Sequence, residues 1–256
     1  MLLIRNLLYW LVVVFITPVF FVLLMISLPL PRRRRHIFGV TWAMTLLWTL
    51  EHVVGLKWRV IGAENIPDTP SVICSKHQSG WETFALQKIF PYQIYVAKRE
   101  LLWIPLFGWG LAAMNPITIN RSDRARSNQQ IIEQGRERLS HGFWITVFPE
   151  GTRVPPGVPG KYKLGAARIA TTLGMPLVPV AHNAGEFWAR NAFLKHPGLI
   201  TVVVGKPILP VDGATPESMM AEASAWIEAR QSEIGGTGPN AHPGQKRVHS
   251  EDTRAA

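Results

Sequence analysis

Lys76-His77-Gln78-Ser79-Gly80-Trp81-Glu82 sets a histidine and a carboxylate five positions apart, between a short β-branched run, Ser71 to Ser75, and a helical one, Thr83 to Phe90, that Pro91 ends. An imidazole that can take a proton, with a carboxylate able to hold its tautomer, is the core of a general-base site. Taken alone the pair carries little weight, because a histidine near an acid is more often structural. Two further polar clusters also follow apolar runs directly: Arg121 after Ile117 to Ile119, and Glu150-Gly151-Thr152-Arg153 after Trp144 to Phe148. If those runs are neighbouring parallel strands, their C-terminal ends share one edge of the sheet, where such folds bind ligands. A base, an acid, two fixed cations and a glycine that admits close backbone approach would then suit an anionic substrate bearing a hydroxyl. Pro155 to Gly160 reads as a loop over that place, held at its far end by Lys161 and Lys163.

The elements needed to position these groups begin at Lys57. From there short β-branched runs alternate with helical ones, which predicts an α/β domain: a central, mostly parallel sheet flanked by helices. Strands are expected at 58–61, 72–74, 94–97, 117–119, 144–148, 177–180 and 200–204. One helix carries Ile131, Gly135 and Leu139 on one face; a second, Leu164 to Leu173, stops at Gly174; a third, Pro216 to Ser232, closes the domain. The polar, Gly- and Pro-containing stretch after it, within 233–256, predicts a disordered tail. His182 and Glu186, four apart after a strand, read as structural, and Cys74 as a small buried hydrophobe.

With 256 residues the chain can bury one substantial core. Its formal charge of +10, ten Trp and 47% hydrophobic residues suit an anionic surface, and its single cysteine excludes an internal disulfide. Leu7 to Leu30 is almost wholly apolar and long enough to reach across a bilayer. It ends in Pro31 and Arg32 to Arg35 rather than in a small-residue cleavage site, so a retained membrane segment is expected, with the arginines on the cytoplasmic side against anionic membrane lipids. A second apolar stretch, Ile37 to Leu56, contains Glu51 and His52 and is the poorer span. Two crossings would strand the arginines outside. A hairpin dipped into one leaflet, favoured over a single span, keeps arginines and domain on one face. The expected division is therefore 1–56 as a membrane-embedded helical hairpin, 57–232 as the α/β domain, and 233–256 as tail.

Four blocks in order resemble the glycerolipid acyltransferases, most closely the membrane-bound 1-acylglycerol-3-phosphate acyltransferases. They are His77-x4-Glu82, Ile117 to Arg121, Phe148-Pro149-Glu150-Gly151-Thr152-Arg153, and Val178-Pro179-Val180-Ala181. Lys98-Arg99-Glu100-Leu101 resembles the segment between the first two. The resemblance implies that His77 deprotonates the hydroxyl of a lysophospholipid as it attacks an acyl thioester, acyl-CoA or acyl carrier protein, while Glu82 steadies the imidazolium. It also implies a substrate site built from Lys98, Arg121, Glu150, Gly151, Thr152 and Arg153. In it the cations hold the phosphate, Glu150 orients the site, and the apolar fourth block lines the acyl side. Ser79 and Cys74 become bystanders. The sequence departs from the family where Glu82 replaces the usual aspartate and where Asn115-Pro116 replaces a glycine and an aromatic. No cofactor, metal or nucleic acid is called for: His-Glu-x-x-His, a phosphate loop and a dinucleotide fingerprint are all absent.

Overall fold

The computed structural model describes residues 1–119 and 124–245. Two long helices, α1 (Leu2–Ile26) and α2 (Arg32–Thr49, prolonged by a wider turn over Leu50–Val54), precede seven strands and five more helices. The strands are β1 (Leu56–Ile61), β2 (Val72–Ser75), β3 (Gln93–Lys98), β4 (Ile117–Ile119), β5 (Trp144–Val147), β6 (Leu177–His182) and β7 (Gly198–Val204). The helices are α3 (Trp81–Ile89), α4 (Phe107–Ala113), α5 (Arg124–Ser140), α6 (Gly165–Leu173) and α7 (Pro216–Ile234). All seven strands form one sheet in the order β1-β7-β6-β2-β5-β3-β4. Its pairings are parallel except β6 with β7, so the expected mostly parallel α/β sheet is what forms.

The central strands are covered on both faces, which is why they read as unbroken apolar runs. In β2 the pleat sends Val72 and Cys74 into one core with α5, α6 and α7, and Ile73 into another with Trp81, Leu47 and Tyr9. Helix α6 stops where Gly174 takes φ +67°, a left-handed residue that lets the chain reverse into β6. Helix α7 starts at a reciprocal cap between Thr215 and Ser218, with Pro216 in its first turn.

The two N-terminal helices lie against the sheet face that α3 also covers. Helix α1 touches the domain at both ends. Near its start Asn6 Nδ2 donates to Lys195 O (3.0 Å), Lys195 N donates back to Asn6 Oδ1 (2.7 Å), and the Lys195 ammonium sits 3.7 Å from the Trp10 ring centroid and 4.7 Å from that of Trp188. Towards its end Phe21 meets Trp109 at 6.3 Å between centroids. Leu3, Leu7, Leu11, Val14 and Phe15 point away from the protein and are exposed. Both helices are long and apolar enough to cross a membrane.

Arg32 to Arg35 form the first turn of α2, where cations oppose the helix dipole. The protein itself compensates: Arg32 is ion-paired with Glu137, Arg33 donates to Gly142 O (3.2 Å) and lies over Tyr92, and Arg34 stays exposed. The tail is not structureless from its first residue. Glu186 accepts the backbone N–H groups of Gly236 (2.6 Å), Thr237 (3.0 Å) and Gly238 (2.9 Å), and Ala241 is buried, so the body of the domain reaches at least that far.

Candidate active site

His77 stands in the loop between β2 and α3. Its Nδ1 lies 2.9 Å from Glu82 Oε1, which also accepts the backbone N–H groups of Gln78 (2.9 Å) and Ser79 (2.8 Å). A carboxylate only accepts, so Nδ1 carries the hydrogen and Nε2 the lone pair. The longer side chain of Glu82 is accommodated because, from the first turn of α3, it folds back under the loop and lets one oxygen collect three donors. Among the described residues its other oxygen has no hydrogen-bond partner. Burial alone would push the Glu82 carboxyl up; the nearby His182, the bond and charge of His77 and the Ser79 N–H outweigh it and hold it below its usual range. The His77 ring lies flat on Phe148, 4.0 Å between centroids and 16° between planes, and its side chain keeps 16% of its surface exposed.

A second acid holds the backbone of the same residue. Glu150 Oε2 accepts His77 N–H at 2.7 Å while Oε1 lies 2.7 Å from the Lys76 ammonium, and the Val154 N–H closes on His77 O at 2.8 Å. Lys76 and Glu150 are both about fully enclosed, each with 1% of the side chain exposed. Burial pushes the Glu150 carboxyl up, opposed by Lys76 and by the His77 N–H. Both Glu150 oxygens turn inward, and Gly160 packs over them, where an added Cβ would collide. The Pro155 to Gly160 loop thus covers Glu150, and its far end is fixed where Lys163 N–H donates to Pro149 O (3.0 Å).

The remaining expected residues fall along the same sheet edge. Cys74 pairs with Val147, so the β2–α3 loop and the Glu150 segment leave adjacent strand ends. Lys98 is exposed at the end of β3, in register with Ile119 at the end of β4. Arg121, just beyond, lies outside the described residues. Arg153 is half-buried; its Nη2 would be 3.6 Å from a Cβ at Gly80, which puts the guanidinium over the N-terminus of α3. Among the described residues no carboxylate pairs with it within salt-bridge distance. Gly151 takes φ +67° in the turn that carries the chain from Glu150 to Arg153, and Thr152 is exposed there.

The fourth block departs from its expected role. Val178, Pro179, Val180 and Ala181 lie in β6, a strand walled by β2 and β7 and buried along its whole length, so they build core rather than line an acyl pocket. Two residues near His77, Lys76 and Glu228, carry no sequence signal of their own. The Lys76 ammonium lies 2.7 Å from Glu150 and 2.7 Å from Glu228. Glu228 also accepts from Tyr162 Oη at 2.7 Å. His182 is buried under the loop with Nε2 2.9 Å from Lys76 O, a structural post.

Comparison with known proteins agrees with this arrangement. Residues 57–183 match a family model described as Acyltransferase. The chain is 43% identical over 209 residues to the 1-acyl-sn-glycerol-3-phosphate acyltransferase of Pseudomonas aeruginosa, covering 80% of this chain and 81% of that one. It is 28% identical over 194 residues to human 1-acyl-sn-glycerol-3-phosphate acyltransferase alpha, covering 75% and 68% respectively. The crystal structure of the 1-acyl-sn-glycerophosphate (LPA) acyltransferase from Thermotoga maritima superimposes with a TM-score of 0.73 over 91% of this chain and 98% of the other; at 24% identity that likeness concerns the fold. Relatedness of this extent, together with a histidine–carboxylate pair at the edge of the matched domain, identifies the chain as an O-acyltransferase that belongs to the acyltransferase family.

Proposed function

We propose that the protein transfers a fatty acyl group from an acyl thioester to the sn-2 hydroxyl of 1-acylglycerol-3-phosphate, producing phosphatidic acid. The observation that carries this reading is the His77–Glu82 pair beside an arginine, Arg153, that lacks a carboxylate partner among the described residues. His77 Nε2 takes the hydroxyl proton as the oxygen bonds to the thioester carbonyl carbon. Glu82 stabilises the imidazolium through Nδ1–H, the tetrahedral adduct collapses with loss of the C–S bond, and the imidazolium returns the proton to the departing thiolate. A thioester is already activated, so no covalent acyl-enzyme is required and Ser79 and Cys74 take no part. Arg153, Lys98 and Arg121 bind the phosphomonoester, the arginines through a two-pronged fork and the lysine as a point charge. Thr152 and the Gly151 turn bound the same subsite.

Residues 1–56 serve as the membrane anchor and the domain from 57 onward, extended to about Ala241, as the catalytic body. Because both ends of α1 contact the domain, the hairpin rests on one leaflet with its outer face in lipid, on the cytoplasmic side of a bacterial-type inner membrane. Exposed Arg34 meets anionic headgroups, and the charge of +10 suits either acyl-CoA or acyl carrier protein as donor. A panel of acceptors and donors on the purified protein in detergent tests this. The reading expects lysophosphatidic acid to be preferred; equal rates on an acceptor without the phosphomonoester contradict it.

A further inference from the structure

Helix α7 begins more than thirty residues beyond the stretch matched by the acyltransferase family model, which ends at residue 183. Glu228 and Gln231, three apart, nevertheless share one face of that helix and both reach the loop that carries His77. We propose that α7 belongs to the catalytic apparatus, with Glu228 and Gln231 as positioning residues that grip the side chains on either side of His77. This rests on His77 being the base of the acyl transfer described above.

On one side, the Lys76 ammonium is held between Glu228 Oε1 and Glu150 Oε1, each at 2.7 Å, and Tyr162 Oη donates to the same Glu228 oxygen at 2.7 Å. On the other, Gln78 Nε2 donates to Gln231 Oε1 at 2.8 Å, and Gln231 Nε2 donates to His182 O at 2.8 Å. The loop has no regular structure between β2 and α3, so contacts of this kind decide where the imidazole points. Its backbone is fixed by β5 and β6, through Glu150 on His77 N–H and Lys76 N–H on Val180 O (2.9 Å). The flanking side chains are fixed by α7. Lys76 is also the link through which Glu150 feels Glu228: one buried ammonium is shared by two carboxylates, so losing either partner alters the field at His77.

The charged and titratable groups facing His77 are Glu82 from α3, Glu150 after β5, Lys76 beside it, His182 from β6 and Arg153 across Gly80; those facing Glu228 are Lys76 and Tyr162. Glu228→Gln keeps the shape and removes one negative charge from this set, which disfavours an imidazolium. Lys76→Met removes a positive charge and favours one.

The test uses the full-length protein in detergent with lysophosphatidic acid and an acyl thioester, and reads kcat, both KM values and the pH profile of kcat/KM. Glu228→Gln is expected to lower kcat about tenfold with both KM values nearly unchanged, and to move the acid limb to lower pH. Lys76→Met moves the limb to higher pH. A helix that merely supports the fold produces neither opposite shift. Gln231→Ala, neutral and half-buried, carries the same expectation for kcat should Glu228→Gln not fold. Unchanged kcat in both α7 variants, or limbs that do not separate in opposite directions, overturns the proposal. A parent protein inactive on lysophosphatidic acid with either donor defeats the underlying functional reading, and this proposal with it; that result is recognised by its independence of residues 228 and 231.

Discussion

Glu82 keeps its negative charge inside the protein because one oxygen meets three donors, the imidazole of His77 and the N–H groups of Gln78 and Ser79. Its carboxyl is held below the ordinary range, so the stabilisation it provides is complete above the unfolded value of about 4.3 and drains away as pH falls through the lower folded value. Urea melts from pH 7 downward should therefore show the parent protein losing more stability in acid than Glu82→Gln. Glu150, whose carboxyl burial raises, contributes with the opposite sign, which is why the comparison isolates Glu82 by substitution. The same change should lower kcat by about a thousandfold, since the amide can no longer stabilise an imidazolium. For Arg153, replacement by lysine keeps the charge and loses the fork. The KM for the phosphorylated acceptor should rise about tenfold if a charged hydrogen bond of roughly 1.5 kcal/mol is lost, and an unchanged KM removes Arg153 from the phosphate subsite. His77 and Glu82 were legible in the sequence because their spacing brackets a strand–helix junction. Lys76 was not: nothing in a single lysine beside a histidine reveals that two carboxylates, one of them 152 positions away, enclose it.

The loop 187–196 lies between the N-terminal helices and the start of α3. Lys195 places its ammonium among Tyr9, Trp10, Trp188 and Phe193, Trp10 Nε1 donates to Phe193 O at 3.2 Å, and Trp188 lies against Gly80 at the start of α3. Lys195→Met fills a similar volume without the charge. It should cost about 1–2 kcal/mol of stability, read as a lower denaturation midpoint, with a larger effect on proteolytic release of α1 than on cleavage within the α/β domain. The strands were readable because a buried parallel sheet demands β-branched runs on both faces, as in Val72-Ile73-Cys74 and Trp144-Ile145-Thr146-Val147. The antiparallel pairing of β7 with β6 was not, because direction leaves no trace in such runs. The buried place of Val178 to Ala181 likewise follows from strand order, which the run itself does not encode.

The whole molecule is a sheet with α5, α6 and α7 on one face and α1, α2 and α3 on the other, the outer side of α1 left apolar and exposed. The reciprocal bonds between Asn6 and Lys195 hold the start of α1 against the domain, and the proposed monotopic arrangement keeps the two on one side of a membrane. Cys74, the single cysteine, is buried, so Arg5→Cys, at an exposed polar position beside Asn6 and ahead of the apolar run 7–30, offers one reactive thiol. A membrane-impermeant maleimide should label it from the same side of oriented vesicles as the domain; labelling from the opposite side contradicts the monotopic arrangement. The apolar length of 7–30 was legible, and α1 is long and apolar enough to cross a membrane. Its docking onto a loop near residue 195 was not, since that contact joins the Asn6 side chain to the Lys195 backbone, 189 positions away. For the same reason the arginines of 32–35 read as partners of lipid, although Glu137 and Gly142 take two of them.

His77 is proposed as the base for acyl transfer to lysophosphatidic acid. The most direct test is phosphatidic acid formation from a labelled acyl thioester by the purified protein and by His77→Ala, compared at equal folded concentration. Robust transfer by the parent and a loss of at least about a thousandfold in kcat for the variant are expected. An unchanged rate in His77→Ala would contradict that role.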